Sequence, residues 1–314
     1  MRRSKIVIVG TGFVGASLAF SLVQRSLLEE IVLIDVNREK AEGEAMDLQH
    51  SLPFVRPANV RVGDFRDCDD ASVVVIAAGV AQKPGESRLD LAGRNIAVYR
   101  QFIPELIRGG TEAVFIVATN PLDVMTYAAA KLSGLPEGRV IGSGTVLDSS
   151  RLRFLLSEHC RVDPGNVHAY ILGEHGDSEV PIWSATHIAG VSLEKYCAAC
   201  GRNCGRDIRG EIFARVRDAA YEIIKRKGAT YYAISLALTR IVGSVIRDEH
   251  SLLTVSCVLG GVYGLTDVAL SVPAIVGRDG IERVVPIPLT PEEEEGLRRS
   301  AAVVRAVIEG AGLA

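Results

Sequence analysis

Lys5-Ile6-Val7-Ile8-Val9-Gly10-Thr11-Gly12-Phe13-Val14-Gly15-Ala16-Ser17-Leu18 is the stretch on which the fold turns. Its apolar, β-branched run reads as a buried strand, and the glycines that follow it open a helical pattern. In that context Gly10 permits the tight turn, Gly12 lets a pyrophosphate approach the backbone, and Gly15 allows close packing of helix on strand. The helix N-terminus then offers unpaired N–H groups to the phosphates. Asp35 ends the next strand-like run, Ile31 to Ile34, twenty residues after Gly15. A carboxylate there accepts hydrogen bonds from an adenosine ribose and repels a 2'-phosphate, which favours NAD over NADP.

Outward from this turn, Val14 to Gln24 and Glu39 to Leu48 read as amphipathic helices, and Val73 to Ala78, Ala113 to Ala118 and Val140 to Ile141 as strands. These strands lack period-two alternation, as expected when helices cover both faces of a parallel sheet. Beyond Asp148 the pattern changes: helices are expected at Ser149 to Ser157 and Asp207 to Lys225, and antiparallel strands at Ser251 to Tyr263 and Val268 to Val276. Thr290-Pro291 followed by Glu292 to Glu295 reads as a helix start, with acids placed favourably on the dipole. The expected class is α/β, a doubly wound parallel sheet over residues 1–143 followed by a mixed α/β catalytic domain over 144–314, with a cleft between them.

Composition narrows the function. In 314 residues, 48% hydrophobic and 23% charged, the balance is that of a globular protein, not a disordered or collagen-like one. With 35 basic against 38 acidic residues the net charge is -3, and without a basic run nucleic acid is not an expected partner. Met1-Arg2-Arg3 leads into a strand instead of a signal peptide, and the apolar stretch Ala71 to Ala81 is far short of the roughly 20 residues of a membrane span, so no membrane partner and a cytoplasmic setting are expected. Six cysteines are too sparse for a disulfide scaffold. Cys197, Cys200 and Cys204 lack an evident fourth ligand and read as ordinary thiols, so no metal site is expected.

Three further segments carry chemistry. Gly173-Glu174-His175-Gly176-Asp177-Ser178 follows a strand-like run, Ala169 to Leu172, and sets a histidine on glycine-flanked backbone suited to a cleft. Such a histidine can equally be structural. Leu147-Asp148-Ser149-Ser150-Arg151 offers an aspartate able to orient and charge a histidine, with an arginine three residues on along the same helix face. Alone, Asp148 would read as a helix cap. Gly79 to Arg88 is a polar Gly/Pro-rich segment after the fourth strand, placed either as a lid over the carboxyl edge of the sheet or as a solvated loop.

Taken in order, the glycine fingerprint with Asp35, Gly79 to Asn95, Ala118-Thr119-Asn120-Pro121, Gly142-Ser143-Gly144-Thr145, Leu147 to Arg153, Gly173 to Ser178 and Lys227-Gly228-Ala229-Thr230 resemble the lactate and malate dehydrogenase superfamily, and within it the L-lactate dehydrogenases of bacterial allosteric type. The resemblance spans essentially the whole chain. It implies a Rossmann-type NAD domain, reversible reduction of pyruvate to L-lactate, and a homotetramer in fermentative glycolysis. By the same resemblance His175 is the proton donor and acceptor, Asp148 its orienting partner, Arg151 the clamp on the substrate carboxylate, and Arg88 the group that polarises the carbonyl. Asn120 would bond the substrate oxygen, and Thr230 and Ile234 would line the substrate and nicotinamide pockets. Cofactor contacts would come from Gly10, Gly12, Phe13, Val14, Gly15, Asp35, Gly79, Asn120 and Ser143.

Gln82 stands where malate enzymes carry an arginine for a second carboxylate, so the loop should accept pyruvate and reject oxaloacetate. Ala81 departs from the asparagine common in that loop. Arg153 and His168 resemble the cations that bind fructose 1,6-bisphosphate, an activator, at a twofold subunit interface; read without the resemblance they are a surface helix arginine and a core or interface histidine. Alternative readings are a malate or other 2-hydroxy-acid dehydrogenase on the same scaffold, or a catalytically inactive NAD-binding structural protein.

Overall fold

The computed structural model describes residues 4–81, 87–201 and 206–313. Its first half runs β1 (Lys5–Val9), α1 (Phe13–Arg25), β2 (Glu30–Ile34), α2 (Arg38–Ser51), β3 (Asn59–Val62), β4 (Val73–Ile76), α3 (Arg88–Leu106), β5 (Val114–Val117), α4 (Leu122–Ser133) and β6 (Val140–Gly142). The six strands are parallel in the order β3-β2-β1-β4-β5-β6. Strand order reverses between β1 and β4, the position where doubly wound sheets open a crevice at their carboxyl ends. Successive residues of β1 serve opposite faces. Val7 and Val9 join a core with Tyr99 and Ile103 of α3 and Met125 of α4, while Ile6 and Ile8 join one with Leu18 and Leu22 of α1. Burial on both faces is why these strands read as unbroken apolar runs.

The second half continues with α5 (Val146–Cys160), β7 (Val167–His168), β8 (Ile171–Leu172), β9 (Val180–Pro181), β10 (His187–Ile188), β11 (Val191–Ser192), α6 (Leu193–Cys200), α7 (Arg206–Lys227), α8 (Tyr232–Arg247), β12 (Ser251–Gly260), β13 (Thr266–Gly277), β14 (Gly280–Val284) and α9 (Pro291–Gly310). The long strands β12 and β13 and the shorter β14 form an antiparallel meander. They do not make a separate sheet: Ser256 of β12 pairs with Gly142 of β6, giving one mixed sheet of nine strands. A bridge between Gly173 and Ser271 fastens the histidine loop to β13. The α9 start is as expected, with Thr290 and Glu293 in a reciprocal capping box and Pro291 in the first turn.

The expected class, a Rossmann-type parallel sheet followed by a mixed α/β part, is the observed one. Local differences are informative. The run Ala169 to Leu172 is strand at Ile171–Leu172 alone, and β12 ends at Gly260 instead of Tyr263. Strand β3, Asn-Val-Arg-Val, was not anticipated, because a sheet-edge strand with polar residues lacks the buried-strand pattern. Among the described residues no helix is long and apolar enough to cross a membrane.

Candidate active site

At the carboxyl end of β1 the chain turns through Gly10, whose φ is +100° and whose Cβ, were there one, would lie 2.5 Å from the Ala78 amide nitrogen. A Cβ on Gly15 would run into the Gly10 carbonyl oxygen, whereas one on Gly12 would meet nothing within 4 Å. Gly12 also caps α1 without any side-chain hydrogen bond, so the N–H groups of the first turn face open space. Asp35 closes the other side of this space. Its Oδ2 accepts from Thr11 N at 2.7 Å and Thr11 Oγ1 at 3.0 Å, and its Oδ1 from Asn37 N at 2.9 Å. Burial pushes this carboxyl up, but those donors outweigh it and hold it below its ordinary value, so it is charged at neutral pH. Gly10, Gly12, Asp35 and Gly79 line one cavity of about 660 Å³. An open helix N-terminus beside a charged acid at the second strand fits the pyrophosphate and ribose of NAD.

The neighbouring positions are tied to this turn. Phe13, 69% exposed, stacks on Tyr231 with ring centroids 5.2 Å apart, and Val14 O accepts from Ser235 Oγ at 3.3 Å. Fully buried Asn95 accepts from Val80 N at 2.7 Å and donates to Asn120 O at 2.7 Å, linking the segment after Gly79 to Asn120. Ser143 is buried just past β6, its N–H on Val117 O at 2.9 Å.

Asp148 lies in the first turn of α5, 2% exposed, where Thr145 is the cap. Its two oxygens divide the work: Oδ2 is 2.5 Å from His175 Nδ1, and Oδ1 accepts from Arg151 Nη1 at 2.8 Å. Asp148 is therefore not the cap, and both of its oxygens are committed to side chains. Burial pushes its carboxyl up, yet His175 and Arg151 hold it low and charged. Burial likewise pushes the His175 imidazolium down, but the carboxylates of Asp148 and Asp123 prevail and lift its pKa to about 9.

Asp123 was missed in the sequence. It sits in α4, 1% exposed, accepting from His175 N at 2.7 Å and from Ser256 Oγ at 2.6 Å, and burial pushes its carboxyl up to about 7. The available signal was an acid inside an apolar helical run, Leu122-Asp123-Val124-Met125, two residues past a motif already singled out. Glu174 N is held from α9 by Ser300 Oγ at 2.7 Å, so the consecutive amides of Glu174 and His175 both rest on buried side chains.

Arg151, Thr230 and Ile234 line a second cavity, of about 830 Å³, between α5, α7 and the start of α8. Arg88 opens α3 and is paired with Glu174 and Asp177 on the histidine loop. Gln82 lies outside the described residues. Arg153 is half-buried on α5 and His168 exposed on β7, opposite His187 of β10 in the register. Cys197 and Cys200 lie on α6, and Cys204 is outside the described residues.

A parallel sheet that presents a dinucleotide cleft beside a histidine–aspartate pair and a half-buried arginine defines an NAD-dependent oxidoreductase. Residues 4–142 match the lactate/malate dehydrogenase NAD binding domain and residues 145–312 the lactate/malate dehydrogenase alpha/beta C-terminal domain. The chain belongs to the lactate/malate dehydrogenase family. It is 52% identical over 306 residues to the L-lactate dehydrogenase of Thermoanaerobacter pseudethanolicus, with 98% of each chain covered. The L-lactate dehydrogenase of Geobacillus kaustophilus is 50% identical over 308 residues, covering 98% of this chain and 97% of that one. Among solved structures, the lactate dehydrogenase MGS-M5 from a deep-sea metagenome superposes with a TM-score of 0.96 at 43% identity, covering 99% of each chain. The minor L-lactate dehydrogenase of Enterococcus mundtii gives 0.96 at 41% identity over the full length of both.

Proposed function

We infer that the chain is an NAD-dependent L-lactate dehydrogenase, interconverting pyruvate and L-lactate. The observation that carries the chemistry is the buried Asp148 carboxylate, bonded on one oxygen to an imidazole and on the other to a guanidinium. With Nδ1–H given to Asp148, His175 has Nε2 left to exchange a proton with a substrate oxygen. Its raised pKa supports a protonated ring at neutral pH, the form needed to reduce a ketone. Arg151 keeps its remaining N–H donors for a carboxylate, and its side chain, 15% exposed, supports a tight two-point clamp that fixes which ketone face is attacked. NADH, when bound, supplies the hydride. Arg88 supplies positive charge toward the carbonyl, and Asn120 a further hydrogen bond.

Substrate choice within the family rests on Gln82, whose neutral amide cannot pair a second carboxylate. The deciding assay follows NADH oxidation with pyruvate and then oxaloacetate, in the unmodified protein and in Gln82→Arg. Pyruvate should be preferred first, and the arginine should shift preference toward oxaloacetate by at least about tenfold. An unmodified enzyme that prefers oxaloacetate would make this a malate dehydrogenase.

We also propose a homotetramer activated by fructose 1,6-bisphosphate, working in the cytoplasm as sparse cysteines suggest. Support for regulation comes from Arg153 and His168 lying on α5 and β7, neighbouring elements of one core. Two subunits facing across a twofold would present four cations to a bisphosphate. Pyruvate saturation curves that overlay with and without the bisphosphate would remove this part of the reading.

A further inference from the structure

The guanidinium of Arg88 rests on the histidine loop. Nη1 donates to Glu174 Oε1 in a short contact, and Nη2 to Asp177 Oδ2 at 2.7 Å. Gly176 is the floor of this arrangement: a Cβ there would stand 3.0 Å from both Arg88 Nη2 and Glu174 Oε1. The residue that follows the histidine is therefore bare where the ion pair lies on it.

Glu174 is itself built in. Its side chain is 8% exposed, and Oε2 accepts from Ser178 Oγ at 2.5 Å and Ser178 N at 3.2 Å. Ser178 Oγ lies 3.1 Å from Ser300 Oγ, which is wholly buried on α9. On the outer side, Tyr221 of α7 donates to Asp177 Oδ1 at 2.9 Å. The first turn of α3, the histidine loop, α7 and α9 thus meet around one guanidinium.

A carboxylate as deep as that of Glu174 is strongly unfavourable unless paired, so it fixes where the guanidinium goes. The guanidinium has five N–H donors, of which the two carboxylates engage two, and the Tyr221 hydroxyl is a further partner. We propose that Glu174, assisted by Asp177, is the positioning residue of Arg88, seating its guanidinium against the loop that carries His175. This rests on the dehydrogenase reading above and adds to it where the charge of Arg88 comes to rest.

Glu174→Gln keeps the shape while removing the charge and one of the two acceptor oxygens, so that its amide nitrogen faces the donors of either Arg88 or Ser178. With pyruvate, kcat should fall roughly tenfold while KM changes less than about threefold, because Arg151 still holds the carboxylate. In an Arg88→Gln background the same substitution should cost nothing further, since the two residues act as one unit. Hydrogen exchange on the ligand-free protein reads the seat without turnover: Glu174→Gln should speed exchange in residues 87–91, and Arg88→Gln should speed it at Ser178. Losses that multiply in the double variant, or exchange unaltered in both single variants, overturn the seat. Exchange that responds as expected, in a protein that does not reduce pyruvate, upholds the seat and overturns the dehydrogenase reading instead.

Discussion

At His175 the direction of the pKa shift fixes the pH behaviour. Burial works against the charged ring, and the carboxylates of Asp148 and Asp123 overcome it, to about 9. The folded value is above the ordinary one of about 6.5, so the linked stabilisation is complete below that range and is lost as pH rises through about 9. Ketone reduction needs the protonated ring, so kcat/KM for pyruvate should stay level through neutrality and decline through the same region. Asp148→Asn removes the charge and turns an amide group toward either Arg151 or His175, both donors. The decline should move to lower pH, and neutral-pH efficiency should drop on the order of 100-fold. A pH–rate profile of both proteins tests this; superimposable profiles would sink the role given to Asp148. Residues whose partners are close in sequence, such as Asp148 and Arg151, were legible from spacing. Asp123 and Ser300 were not, because each meets the histidine loop only through contacts 52 and 126 residues away along the chain.

The β1–α1 turn separates two uses of glycine within one element. Gly15 is small because another backbone is there, Gly12 because nothing is. Gly15→Ala should cost about 1–3 kcal/mol of stability, since a carbonyl fixed by sheet and helix cannot yield. Gly12→Ala should change stability by no more than about 1 kcal/mol but weaken NADH binding at least roughly tenfold, because the methyl enters the space a phosphate would take. Thermal melts paired with fluorescence titration of NADH distinguish them, and equal losses of affinity without loss of stability in both variants would contradict the assignment. This turn was the most legible part of the sequence because strand, glycines, helix and acid all agree locally. Strand β3 and the start of α3 are less so: the first is a polar edge, and the Gly/Pro-rich pattern runs on to Arg88, which is already the first residue of a helix.

Over the whole molecule, α1 and α8 pack side by side, with Thr239 Oγ1 donating to Ser21 Oγ at 3.0 Å, and leave Phe20, Tyr232 and Leu236 at 54%, 68% and 51% exposure. An apolar face of this kind suits a second copy of the chain. If the proposed homotetramer is built on this face, Leu236→Asp lowers the sedimentation coefficient toward that of a monomer, and an unchanged value would rule this face out as its interface. The single pairing of Ser256 with Gly142 has a consequence for dissection of the gene. Severed between residues 143 and 144, the amino-terminal fragment would keep every strand of its parallel array but present β6 as a raw edge. Core residues such as Phe115 would also lose Leu270 and Leu297, with which they share one apolar cluster. The two pieces should therefore behave as halves of a split reporter, inert and aggregation-prone alone and recovering turnover when co-expressed. Calorimetry of the intact chain should accordingly show one cooperative transition, where a chain of two autonomous modules would melt in two.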